Sequence, residues 1–142
     1  MKICSYRSIV LAVLTRNEHC PPHVHAGTPE WEARFEFSFW HNGVRLWDVV
    51  PLQNRPSAAL LEGLRTSLMK PAHLHKARTC WWQSTGAACL IRQRWDAVSE
   101  TVVSGNRADS AARMIQAASF DATARKTVLT LKGSATPVEI ML

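Results

Sequence analysis

Trp31-Glu32-Ala33-Arg34-Phe35-Glu36-Phe37-Ser38-Phe39, followed by Trp40-His41-Asn42-Gly43, is the stretch from which the fold is read. Apolar and polar residues alternate from Trp31 to Phe39, the period of a strand with one buried and one wet face. Asn42-Gly43 then signals a hairpin, because both residues accept the positive φ that tight hairpin turns demand. Val44 to Val50 returns as the partner strand, and Pro51 closes it. A two-residue loop sets Phe37 opposite Asp48, and a three-residue loop sets it opposite Val49. The sequence therefore predicts a hairpin over 31–50 and leaves its register open.

Upstream, Ile3 to Leu14 ends in an apolar, β-branched run whose length suits a buried strand. Between that run and the hairpin lies Glu18-His19-Cys20-Pro21-Pro22-His23-Val24-His25, where the proline pair forbids helix. Downstream, Pro56-Ser57 opens a helix with Ser57 as its N-terminal cap, and Leu60, Leu61, Leu64 and Leu68 form its apolar stripe. Pro71 stops or kinks it. A second helix is expected over 72–83, with Leu74, Ala77 and Trp81 on one face. Ala87, Ile91, Trp95, Val98 and Val102 recur at helical spacing and predict a third, to about Val103. Ser104-Gly105-Asn106 resembles a linker. Beyond it, residues 108–118 read as helix on alanine content while 114–120 read as strand; 126–132 and 137–142 read as strands.

The expected fold is α+β: a small antiparallel sheet around the 31–50 hairpin, packed by helices from 57–103. A strand-rich extension over 104–142 either joins that domain or is appended to it. The chain has 142 residues, enough for one domain with a real core. Hydrophobic residues at 46% and charged residues at 20% exclude wholesale disorder. Its net charge of +6 favours nucleic acid, an anionic surface or an acidic partner. Cys4, Cys20, Cys80 and Cys89 are widely spaced without a C-x-x-C pair, so they read as small apolar residues in a reducing cytoplasm. No apolar run approaches the ~18 residues of a membrane span, so no membrane association is expected.

The segment 18–25 carries the candidate chemistry. If His23-Val24-His25 is extended, His23 and His25 share a face with Cβ atoms about 7 Å apart, within reach of one metal ion. A bend at the prolines can return His19 as a third ligand; Cys20 is a softer candidate, and Glu30 or Glu32 can offer a carboxylate. Three ligands with an open fourth position suit zinc and hydrolysis. The competing reading is structural, with His23 and His25 paired to Glu18 or to backbone carbonyls. His73-x-His75 makes a poor chelate on a helix, where the two residues point apart. Arg92, Arg94, Arg107, Arg113, Arg125 and Lys126 form a loose basic concentration that either tracks phosphates or is a solvated surface. The chain has no Walker loop, no G-x-G-x-x-G and no G-x-S-x-G, which disfavours the enzyme classes with readable signatures.

The acidic-His-x-Pro-Pro-His-x-His pattern formed by Glu18, His19, Pro21, Pro22, His23 and His25 resembles the bacterial domain of unknown function 4160 family. The tail over 114–142, with Phe120-Asp121, is faintly similar to the domain of unknown function 2442 family. The resemblance implies architecture and context rather than a reaction. The leading expectation is a cytoplasmic component of a toxin–antitoxin-like pair that contacts a partner protein from a neighbouring gene or nucleic acid. The runner-up is a metal-dependent hydrolase or nuclease centred on His19, His23 and His25, with zinc as the fitting cofactor, and the third a purely structural or interaction domain. The balance leans away from an enzyme.

Overall fold

Five antiparallel strands, two helices and five further antiparallel strands follow one another along the chain. In the computed structural model, residues 1–107 and 111–142 are described, and all counts refer to them. The class is α+β with a strand-rich C-terminal part. The chain divides into two units, Met1–Ser38 with Asn42–Thr85, and Phe39–His41 with Gly86–Leu142. The sequence placed its division later, after Val103.

The first unit holds strands β1 (Lys2–Tyr6), β2 (Ile9–Ala12), β3 (His23–Thr28), β4 (Trp31–Glu36) and β5 (Arg45–Val50), ordered as they occur in the chain. The expected single strand over 3–14 is instead a hairpin. Tyr6 pairs with Ile9 across Arg7 and Ser8, both at positive φ, which gives the handedness a two-residue turn requires. A second tight hairpin joins β3 to β4, with Thr28 paired to Trp31 across Pro29-Glu30. The predicted β4–β5 hairpin exists, but not around Asn42-Gly43: the ladder ends at the Glu36–Arg45 pair. Phe37 therefore faces neither Asp48 nor Val49. Phe37 and Phe39 are buried as their alternation predicts, yet outside the ladder, because Phe39 packs edge-on against Phe120, 5.1 Å between ring centres, in the second unit's own core.

Helix α1 (Ala58–Leu68) starts where Ser57 accepts the Leu60 amide, and it buries Leu61, Leu64 and Leu68. Gly63 meets the Tyr6 ring so closely that a Cβ would stand 2.4 Å from it, so only glycine permits that approach. Helix α2 (Pro71–Thr85) takes Pro71 into its first turn, where the missing amide is no loss, and Gly86 follows its end at positive φ. It buries Leu74, Ala77, Cys80, Trp81 and also Arg78. The Arg78 guanidinium donates to the Ser38 carbonyl and to Asn42 Oδ1, which flank the Phe39–His41 excursion. Burial lowers its pKa to about 10, so it stays charged at neutral pH. Cys4 and Cys80 are buried free thiols, as the apolar reading of the cysteines requires. Cys20 is disulfide-bonded, so that reading does not cover it.

The second unit holds β6 (Arg94–Asp96), β7 (Thr101–Val103), β8 (Ala112–Asp121), β9 (Lys126–Leu131) and β10 (Val138–Met141), in the order β10-β9-β8-β6-β7. Trp95, Ile115, Phe120, Leu129 and Leu131 are buried there. The helix expected to about Val103 does not form. Cys89, Arg92 and Glu100 adopt positive φ within that stretch, a conformation no right-handed helix contains, and Val98 is 88% exposed. Residues 112–121 resolve the alternatives beyond the linker in favour of strand; 108–110 lie outside the described residues. Cys89 is disulfide-bonded, and with Cys20 in the same state the cysteines give no argument for a reducing compartment. No helix among the described residues is long and apolar enough to cross a membrane.

Candidate metal centre

The pleat of β3 sorts its residues between two faces. Val24 and Ala26 point to the core with Ala33, Phe35 and Val49 from β4 and β5. His23 and His25 lie on the other face, which β4 and β5 furnish with Glu32, Arg34, Glu36 and Asp48. The ladder between β4 and β5 shifts after Arg34–Asp48, leaving Trp47 as the extra residue of a bulge. A bulge re-aims a side chain, and here the Trp47 ring meets the His23 ring edge-on at 5.2 Å. Trp81 from α2 stands 5.3 Å from the same ring. His23 is consequently only 2% exposed.

The two prolines shape the approach to β3. Neither has an N–H to place, and both of their carbonyls serve as acceptors. The Pro22 carbonyl accepts from the Phe37 amide at 3.0 Å, which extends the β3–β4 pairing by one step. The Pro21 carbonyl stands 2.7 Å from His23 Nδ1. A carbonyl only accepts, so His23 donates from Nδ1, and in the neutral ring Nε2 carries the lone pair. Burial pushes this imidazole below its usual pKa, against the opposing pull of the Pro21 carbonyl and of Glu18, which favours the neutral ring. His25 is hydrogen-bonded through both ring nitrogens, Nδ1 to Glu32 Oε1 one strand across and Nε2 to Glu18 Oε1 at 3.3 Å.

Both Nε2 atoms face one carboxylate. Glu18, brought back over the start of β3 by the loop, places Oε2 at 3.0 Å from His23 Nε2 and Oε1 at 3.3 Å from His25 Nε2. Its side chain is 6% exposed. Oε2 lies within ion-pair distance of His23 but off the direction of a hydrogen bond, and it has no hydrogen-bond partner. A buried carboxylate oxygen facing an imidazole lone pair is a repulsive arrangement unless a proton or a cation lies between them. The three ligand atoms lie within 4.8 Å of one another. Ligands about 2.0–2.1 Å from one tetrahedral zinc stand about 3.3 Å apart, close to the two Glu18–imidazole separations.

The group that forms therefore differs from the sequence expectation by one neighbour. Glu18, His23 and His25 come together, whereas His19 is exposed, its Nδ1 3.5 Å from the Asn17 carbonyl and its ring centre 6.3 Å from that of His23. Cys20, disulfide-bonded, offers no thiolate. Glu32 enters as the orienting partner of His25 rather than as a ligand. The basic residues of the C-terminal half fall in two places: Arg92, Arg94, Arg107 and Arg113 around β6 and the start of β8, and Arg125 and Lys126 at the turn from β8 to β9. Arg94 donates to the Gly105 and Ala112 carbonyls, Arg113 to those of Lys132 and Gly133, and Lys126 pairs with Glu139. Arg113 lies at the start of β8 and Arg125 in the turn between β8 and β9, and Arg92 and Arg107 are exposed. No protein-family profile, curated protein or solved structure matches the chain.

An imidazole ligand is fixed in tautomer and direction by the acceptor on its other nitrogen, and loss of such an acceptor lowers metal affinity by roughly 10–100-fold. Glu32→Ala is accordingly expected to weaken zinc binding to that extent in a calorimetric titration. Glu32→Gln keeps an oxygen that accepts from Nδ1–H, and its loss is expected to be the smaller of the two. Equal affinities in all three proteins would remove Glu32 from this role.

Proposed function

We propose that this chain is a metal-dependent hydrolase whose single divalent ion is held by Glu18, His23 and His25. The observation that carries the reading is the buried Glu18 carboxylate, one oxygen without a hydrogen bond, facing two imidazoles whose Nδ1 atoms are already engaged. A two-histidine, one-carboxylate set is a known donor set of hydrolytic zinc and leaves a coordination position open. Zinc bound there supplies a Lewis acid and lowers the pKa of a bound water toward neutrality. The chain's own groups do the rest: Pro21 and Glu32 orient the imidazoles, and Trp47 and Trp81 keep water from the inner face of His23. His25 and Glu32 border an open cleft of about 280 Å³ that also touches Val10, Thr28 and Trp31, a path for substrate to the more exposed side of the centre.

The test is a zinc titration of metal-stripped protein followed by elemental analysis, with hydrolysis of chromogenic esters and phosphoesters as the second readout. One equivalent per chain with metal-dependent turnover is the expected result. A chain that takes up no zinc, manganese or iron at micromolar concentration overturns the proposal. A role in a toxin–antitoxin-like pair draws its support from the net charge of +6 and from the motif's resemblance. The cations offered for it fall in two places rather than on one track, and several are engaged with carbonyls or a carboxylate, so it is the second reading. Salt-sensitive binding to DNA or RNA by protein that takes up no metal would reverse the order.

A further inference from the structure

Arg34 lies on the face that carries the centre's ligands, and the register places it directly opposite His25 on the neighbouring strand. Cβ atoms of such a pair lie about 4.5–5.5 Å apart. Three restraints fix its guanidinium. Asp48 accepts from Nε at 2.8 Å and from Nη2, and the guanidinium carbon sits 4.1 Å over the centre of the Trp47 ring. The same Trp47 ring meets His23 with its edge. An ion pair with Asp48 needs only the Nε and Nη2 edge. Nη1 makes no hydrogen bond among the described residues, and the side chain is 28% exposed. A guanidinium held on one edge and stacked on one face, with its remaining donors open, is pre-organised to take an oxyanion.

We infer that Arg34 seats an oxyanion of the substrate, a phosphoryl or carboxylate group, beside the Glu18–His23–His25 centre. This deepens the hydrolase reading and rests on the metal being there. The charges on this face are Glu18, Glu32, Glu36 and Asp48, with His23, His25, Arg45 and Arg34 itself, and Glu36 is taken up by Arg45. Asp48 is taken up by Arg34 and Glu32 by His25. A dication on the centre offsets Glu18 and leaves an excess of positive charge toward the ligand. An oxyanion placed there bonds to Nη1 through one oxygen and turns another toward the centre. Substrates of this class are phosphoesters, or amides and esters that carry a carboxylate next to the scissile bond.

Cobalt(II) in place of zinc makes the test optical, because its visible spectrum changes when a ligand enters its coordination shell. Inorganic phosphate and acetate are titrated separately into the cobalt-loaded native protein, Arg34→Lys and Arg34→Met. At least one anion is expected to perturb the native spectrum. Both variants are expected to bind it about tenfold or more weakly, since a charge-assisted hydrogen bond is lost, while each still takes up cobalt. Arg34→Lys keeps the charge opposite Asp48, so it serves if Arg34→Met fails to fold. Phosphate alone acting points to phosphoesters and acetate alone to carboxylates, and either supports the inference. Cobalt binding with no response to either anion, or with the same anion affinity in all three proteins, overturns the role of Arg34 and leaves the metal centre standing. Absence of cobalt binding removes both.

Discussion

Replacing Glu18 by glutamine is expected to leave the metal-free protein as stable as before, or more stable by about 1 kcal/mol, while abolishing its stabilisation by metal. The sign is the informative part. With His23 neutral and its proton on Nδ1, Glu18 Oε2 faces a lone pair 3.0 Å away and gains nothing from it. A glutamine amide can donate to that lone pair and remove the conflict. If His23 were instead an imidazolium paired with Glu18 in the native state, removing its partner would leave a buried charge and cost about 3–5 kcal/mol. In the native protein, metal at a thousand times its dissociation constant adds about 4 kcal/mol, a rise in melting temperature on the order of 10 °C. Glu18→Gln should show little of that rise. Thermal melts of both proteins with and without zinc read all of this at once, and a strongly destabilised metal-free variant would sink the metal-centre reading.

Trp81→Ala is expected to lose about 3–5 kcal/mol of stability, the range for deleting a large buried aromatic. Trp81 is fully buried on α2, 6.1 Å from the Phe37 ring and 5.3 Å from the His23 ring. The cavity it leaves borders a proposed ligand, so the variant should also hold metal more weakly than its stability alone explains. Urea unfolding of the metal-free protein gives the first quantity and a zinc titration well below the midpoint gives the second. A loss under about 1 kcal/mol would mean that the core closes without this ring.

The parts of the fold that local chemistry decides were legible. Alternation marked β4, the Ser57 cap marked the start of α1, and the pleat alone put His23 and His25 on one face. What misled was pattern without contact. Phe37 and Phe39 continue the alternation of β4 but are buried for another reason, and Ala87 to Val102 keep helical spacing through a segment whose backbone repeatedly turns to positive φ. Gly105 looked like linker composition. It is a packing requirement, since a Cβ there would stand 1.9 Å from the Arg92 carbonyl oxygen. In the site, the pairing of His23 and His25 with Glu18 and of His23 with a backbone carbonyl was legible as the structural alternative, whereas which of Glu18 and His19 would complete a ligand set was not. Both are adjacent loop residues, and which one folds back depends on the path of residues 13–22. Arg34 carries no signal of its own in the sequence, because on a strand's wet face it looks like any solvated cation; only its register with His25 and its stacking on Trp47 distinguish it.

The short Phe39–His41 excursion has a consequence for how the chain comes into being. Phe120 finds its aromatic partner in Phe39, a residue lying between the fourth and fifth strands of the other unit. Neither unit is therefore a contiguous piece of chain, and no single peptide bond separates them cleanly. A fragment ending at Thr85 keeps a phenylalanine that belongs elsewhere, and a fragment starting at Gly86 lacks one that it needs. During synthesis Phe39 leaves the ribosome long before Phe120, so the second unit must complete its core on a residue that the first has already laid down.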